Sequence, residues 1–140
     1  MNAFTHLHLH TQYSLLDGAS QPQELCEAAA RAGVSQLGIA DRDGVYGLVQ
    51  AHKAAREHGV HLVCGATVTV VDRPAVVLLV TEIRGWSSLC RILTRGRSND
   101  VKGRSRITVD ELLEHEAGLV AVLRPGWAAE QAAGLRDTFG

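Results

Sequence analysis

At 140 residues the chain is long enough for one domain with its own core, and 46% hydrophobic content excludes a disordered composition. A net charge of −1 excludes a wholly basic nucleic-acid binder, and 4% aromatic residues leave the core to aliphatic side chains. No apolar run reaches the length of a membrane span, no secretory leader is visible, and Cys26, Cys64 and Cys90 form no CxxC pair, a usage expected of buried thiols in a reducing cytoplasm.

Residues 4–10 read as the first strand, with His6, His8 and His10 at alternate positions. In an extended strand these imidazoles share one face, while Leu7 and Leu9 point into apolar packing. Imidazole is a good ligand for zinc, manganese or iron, so the row, with Asp17 in the following loop, makes half of a metal site. Residues 13–19 form that loop, with Asp17-Gly18 as its turn. Ser20 and Gln23 can cap a helix carrying Leu25, Ala28, Ala29 and Ala32 on its buried face, with Gly33 closing it.

Residues 36–40 read as a second strand, delivering Asp41-Arg42-Asp43-Gly44 at its carboxyl end. A helix over residues 46–58 ends at Gly59. The third strand lies within residues 60–71, and the apolar run AVVLLVT over residues 75–81 is positioned to pair with it as a hairpin. Residues 86–95 read as a third helix ended by Gly96, and residues 97–106 as a polar loop. Thr108 and Glu111 form a capping box for a helix to about residue 117, and Gly118 stops it. LVAVL over residues 119–123 is a buried strand, and residues 127–140 are weakly helical. The rhythm predicts a parallel α/β arrangement with an exposed apolar sheet edge, hence a domain cut short or covered by a partner.

Seven of the chain's 14 basic residues (Arg84, Arg91, Arg95, Arg97, Lys102, Arg104 and Arg106) fall in a stretch with one acid, Asp100. Such a run is either a solvated face or a contact for phosphate backbone or an acidic partner. No aromatic residue interleaves residues 97–106, so base stacking is not expected there.

HLHLHTQYSLLDGAS, LGIADRDGVYGLVQAHKAAREHGVHLVCGATVTV, VVLLVTEIRGWSSLCRILTRG and ITVDELLEHEAGLVAV, in that order, resemble the amino-terminal PHP (polymerase and histidinol phosphatase) domain of bacterial C-family DNA polymerases, alpha subunits of polymerase III. ADRDGVYG and RGWSSLCRILTR are most like the error-prone branch. The resemblance covers residues 4–122. It implies a distorted seven-stranded β/α barrel, of which about five strands are present here, and a single domain over residues 1–140 that is incomplete at its carboxyl end. It also implies metals at the carboxyl ends of the strands and, in members with an intact site, phosphoester hydrolysis by metal-bound hydroxide.

Carried over position by position, His8 and His10 match the family's paired histidines, and Asp17 and Asp41 its two acidic positions. Arg42 stands where a histidine ligand is usual, and a guanidinium has no lone pair to give. Thr67 aligns with a glutamate ligand, Pro74-Ala75 with a histidine, and residues 124–127 with a Cys or His position. The final Asp-His pair would lie beyond residue 140. A partial or vestigial site for zinc or manganese is expected, with Arg42 hydrogen-bonded to Asp17 or Asp41 in partial replacement of the lost cation. Three readings follow. The first is an accessory domain of an error-prone polymerase, with the remaining polymerase domains as partners, DNA reached through the parent chain, and no membrane. The second is a small metal-dependent phosphoesterase. The third is a stand-alone interaction module. In the first reading Arg91, Arg95, Arg97, Lys102, Arg104 and Arg106 are the candidate contacts to nucleic acid or a partner.

Overall fold

The computed structural model describes residues 4–139. In order the elements are β1 (His6–Leu9), α1 (Pro22–Arg31), β2 (Gln36–Arg42), α2 (Leu48–His58), β3 (His61–Val68), β4 (Val76–Val80), α3 (Ile83–Ser98), α4 (Val109–Leu113), β5 (Leu119–Leu123) and α5 (Ala129–Phe139). The strands lie in sequence order in one five-stranded sheet, a curled half-barrel. The β1–β2 and β2–β3 ladders are parallel, and β3–β4 and β4–β5 are antiparallel. The expected β3–β4 hairpin is present. The expectation of a parallel arrangement holds only for the first half, because a wholly apolar run such as VVLLV satisfies a ladder of either direction. LVAVL, expected as a buried strand, instead alternates, with Val120 and Val122 on its exposed face.

Two cores flank the sheet. Leu37 and Ile39 of β2 meet Cys26 of α1 and Leu48, Ala51 and Ala55 of α2. Val68, Val76 and Leu78 meet Leu89 and Ile92 of α3, Leu112 of α4 and Leu135 of α5. Inside the curl, Ala40, Val77 and Leu79 form a third small cluster.

Local signals explain several boundaries. Pro22 suits the first helical position, so α1 begins one residue later than Ser20 implies, with the Gln21 backbone N–H donating to Glu24 at 2.7 Å. Gly59 is left-handed at φ 68° and ends α2. Thr108 caps α4, accepting from the Glu111 N–H at 3.2 Å, although the helix stops at Leu113. Gly96 does not end α3, which runs on to Ser98. The helix presses Gly96 against the following loop, where a Cβ would lie 2.6 Å from Ser105 Oγ. In β1, Leu9 packs against the α1–α2 core, but Leu7 is 42% exposed. A register irregularity between His6 and Leu9 breaks the strict alternation.

Gly85 in the first turn of α3 packs directly on the Gly118 backbone, whose carbonyl also accepts from the Thr81 N–H and hydroxyl at 3.0 and 2.9 Å. A Cβ at Gly85 has no space, so Gly85→Ala is expected to destabilise by about 2–3 kcal/mol. Gly134→Ala in α5 meets no atom within 4 Å and is expected to be neutral or stabilising by up to about 1 kcal/mol. Urea unfolding of the two variants checks both; equal behaviour would contradict the close-packing argument.

Candidate functional site

Parallel pairing of β1, β2 and β3 brings their carboxyl ends together, and the site is built there. Register places Arg42 opposite Thr67. The buried Thr67 hydroxyl donates to the Ala40 carbonyl at 2.7 Å, which leaves its lone pairs toward the histidines. His8 Nε2 and His10 Nε2 stand 3.0 and 3.1 Å from that oxygen and 3.0 Å from each other, with the rings edge to face. His10 Nδ1 lies 2.7 Å from Asp17 Oδ2, so the carboxylate assigns the proton to Nδ1. Arg42 donates to the same Oδ2 at 2.8 Å. Of the two partners open to Arg42 in the sequence, it takes Asp17.

Asp41 is 1% exposed, and its oxygens are fully engaged. Oδ1 accepts from the Thr11 N–H at 2.6 Å and the Ser14 hydroxyl at 2.7 Å; Oδ2 accepts from the Thr11 hydroxyl at 2.7 Å. Ser14 Oγ in turn accepts from the Arg42 N–H at 3.0 Å. Thr11 and Ser14 were missed as partners of the site. Their signal is two hydroxyl residues three apart directly after the histidine row, which suit a turn that wraps a carboxylate. His6 stands apart from the pair, its ring edge-on to Phe4 at 4.5 Å.

Burial raises the energy of the charged Asp17 carboxylate, but His10 and Arg42 outweigh that and hold its pKa below the ordinary range. For His8, burial is the main cause of a lowered pKa, reinforced by His10 and Arg124 against the opposing pull of Asp17. The folded chain therefore holds His8 neutral more readily than the unfolded chain does. Its contribution to stability is full above the ordinary 6.5 and declines as pH falls below that value. In an NMR titration the His8 imidazole is expected to have its midpoint below 6.5; a midpoint at or above it would contradict the burial argument.

Among the described residues no three His, Cys, Asp or Glu side chains converge as a metal-holding group. Two imidazole nitrogens and a hydroxyl do converge, but Asp41 is turned into its own cage and Asp17 already holds His10 and Arg42. The residues present do not fit a multi-metal cluster.

Beside this network, across Ser14 and Arg42, lies an open cleft of about 550 Å³. Arg42, Arg97, Arg104 and Arg106 line it, with Tyr13, Tyr46, Asp43 and Asp100. The fold thus divides the basic stretch: Arg97, Arg104 and Arg106 face the cleft. Arg91 and Arg95 lie on another surface with Cys90 and His115, where Arg95 pairs with Glu111 at 2.6 Å. Lys102 is exposed in the intervening turn.

His8 in β1 and His10 just beyond it thus stand at the edge of a β/α half-barrel, beside the Asp17 loop. The chain belongs to the PHP domain family, whose signature matches residues 6–135. It is 40% identical over 99% of its length to the error-prone DNA polymerase of Pseudomonas aeruginosa, and 36% identical over 84% to that of Rhodopirellula baltica. It spans only 14% and 10% of those relatives. Among solved structures, a Bifidobacterium adolescentis protein described as a metal-dependent phosphoesterase matches 67% of this chain and 33% of its own, with TM-score 0.53 and 28% identity. A two-domain Bacteroides vulgatus protein containing a predicted PHP-like metal-dependent phosphoesterase matches 95% of this chain and 41% of its own, with TM-score 0.65; at 13% identity it speaks for the fold alone. No helix among the described residues is long and apolar enough to cross a membrane.

Proposed function

We propose that this chain is the amino-terminal PHP domain of an error-prone C-family DNA polymerase, cytoplasmic, and accessory rather than catalytic. The parent chain would carry out template-directed synthesis in damage repair and replication. The observation that carries the reading is the near end-to-end match to a small part of a polymerase. The site supports an accessory role: Arg42 and Thr67 stand where two ligands would, Asp41 is a structural carboxylate, and His8, His10 and Asp17 remain as a vestigial ligand set. The rest of the polymerase is the natural partner. The outer strand β5 leaves Val120 and Val122 40% and 42% exposed, an apolar surface suited to a neighbouring domain.

The test is primer extension by the parent polymerase. His8→Ala with His10→Ala is expected to leave extension by the folded variant within about twofold, because the site has no chemistry to lose. Deleting residues 4–139 is expected to abolish soluble, active enzyme. Loss of extension in the histidine variant with the fold intact would overturn the accessory reading. The second reading, a small metal-dependent phosphoesterase, rests on the convergence of His8 and His10 and on the phosphoesterase neighbours. It requires manganese- or zinc-dependent phosphodiester hydrolysis by residues 1–140 that the same double substitution abolishes.

A further inference from the structure

The cleft beside the histidine network has a charge that the chain as a whole does not. Four arginines and two aspartates line it, a balance of about +2 in a chain of net charge −1. Three of the four arginines, Arg42, Arg97 and Arg106, are each held by a contact that uses a small part of the donor set. Arg97 donates one N–H to the Asp43 carbonyl at 2.6 Å, and its guanidinium lies 5.6 Å from the centre of the Tyr46 ring. The Tyr46 ring lies directly over Gly44, where a Cβ would come within 2.5 Å of Cε2. Arg106 donates through Nε to Asp100 at 2.8 Å. The Arg104 side chain has no hydrogen-bond or ion-pair partner among the described residues. A guanidinium carries five N–H donors, so most of the donors here remain unused.

The acids in the cleft are already engaged. Asp43 accepts from the Thr69 N–H and hydroxyl at 2.8 and 2.6 Å. Asp100 accepts from Val101 N–H and Arg106, both at 2.8 Å. Their hydrogen-bonding capacity is turned toward the protein while the arginine donors face solvent. That arrangement favours an anionic ligand with several acceptor oxygens, for which the planar guanidinium fork is matched.

We propose that this cleft binds the phosphate backbone of a single-stranded nucleic acid, with Arg97, Arg104 and Arg106 on the phosphates and Arg42 beside them in the lining. Its volume lies within the range of about 300–1,000 Å³ typical of ligand sites, and its openness suits a strand that passes across rather than a molecule enclosed. Binding is independent of sequence, because the cleft's charged donors are guanidinium groups matched to phosphate oxygens. It also requires no metal. The inference deepens the accessory reading by naming what the domain holds, and it rests on that reading for the source of the strand.

The test uses residues 1–140 and a fluorescent twelve-residue oligothymidylate, followed by anisotropy in EDTA. Three phosphate contacts predict a log–log salt slope of about −2, hence about a twentyfold loss of affinity between 50 and 200 mM salt. Arg104→Glu removes a side chain with no structural partner, so the thermal unfolding midpoint is expected to stay unchanged while affinity falls about tenfold or more and the slope becomes shallower by about 0.7. Arg91→Glu, the same charge change on the other surface, is expected to bind like the parent chain. Equal weakening by both substitutions would reduce the effect to net charge and overturn the site. Displacement of the oligonucleotide by polyglutamate at matched charge would overturn it in favour of an acidic peptide. Primer extension by the parent is not the readout, so failure here leaves the accessory reading standing.

Discussion

Asp41→Ala is expected to destabilise the chain by about 3–5 kcal/mol, a large share of the roughly 5–15 kcal/mol available to a domain. The Asp41 carboxylate binds the Thr11 N–H, the Thr11 hydroxyl and the Ser14 hydroxyl, and all three residues are almost completely buried. Removing it leaves three donors without water or partner. It also releases the loop that carries Tyr13, Ser14 and Asp17, because Ser14 ties that loop to the Arg42 backbone. Asp41→Asn keeps the shape, but its NH₂ must face one of those donors; rotation of a hydroxyl relieves part of the conflict, so about 1–2 kcal/mol is expected. Urea unfolding measures both. The decisive condition is EDTA. A structural carboxylate predicts the same loss with and without the chelator, whereas a loss that disappears in EDTA would make Asp41 a metal ligand.

Much of this architecture was legible because its signals are local. Thr108 with Glu111 marks the start of α4, Gly59 marks the end of α2, and the histidine row marks β1. Strand direction was legible for the β3–β4 hairpin but not for β5: five consecutive apolar residues read alike for either direction, and β5 runs antiparallel to β4. The extent of α3 was hidden by Gly96, whose small size serves contact with Ser105 rather than a helix stop.

At the site, ligand-type residues were visible but their partners were not. Asp17 and Arg42 are 25 positions apart, and only the β1–β2 pairing brings their side chains together. The same pairing chooses between Asp17 and Asp41 as the acceptor for Arg42, since Asp41 is enclosed by Thr11 and Ser14. The basic stretch looked continuous in the sequence. Helical geometry splits it, sending Arg97 to the cleft and Arg91 and Arg95 to another face.

On the accessory reading, two of the departed ligand positions lie beside the paired histidines, and restoring them is expected to strengthen metal binding. Thr67 Oγ1 stands within 3.0 and 3.1 Å of the two imidazole nitrogens, so a carboxylate from this position would reach the same corner. Arg42 places a fixed positive charge on Asp17, 2.8 Å from its oxygen, in competition with any cation. Structural zinc sites with four ligands bind with about 10–16 kcal/mol, or roughly a hundredfold in affinity per ligand. Thr67→Glu with Arg42→His is therefore expected to tighten zinc or manganese binding by about four orders of magnitude, read by titration calorimetry. Arg42→His alone removes a half-exposed ion pair and is expected to change stability by only about 0–1 kcal/mol. If that single change brought most of the metal affinity with no loss of stability, Arg42 would have no structural part in the site. If the double variant bound no better than the parent chain, the obstacle would lie in the enclosure of Asp41, and the two positions would not suffice for a metal site.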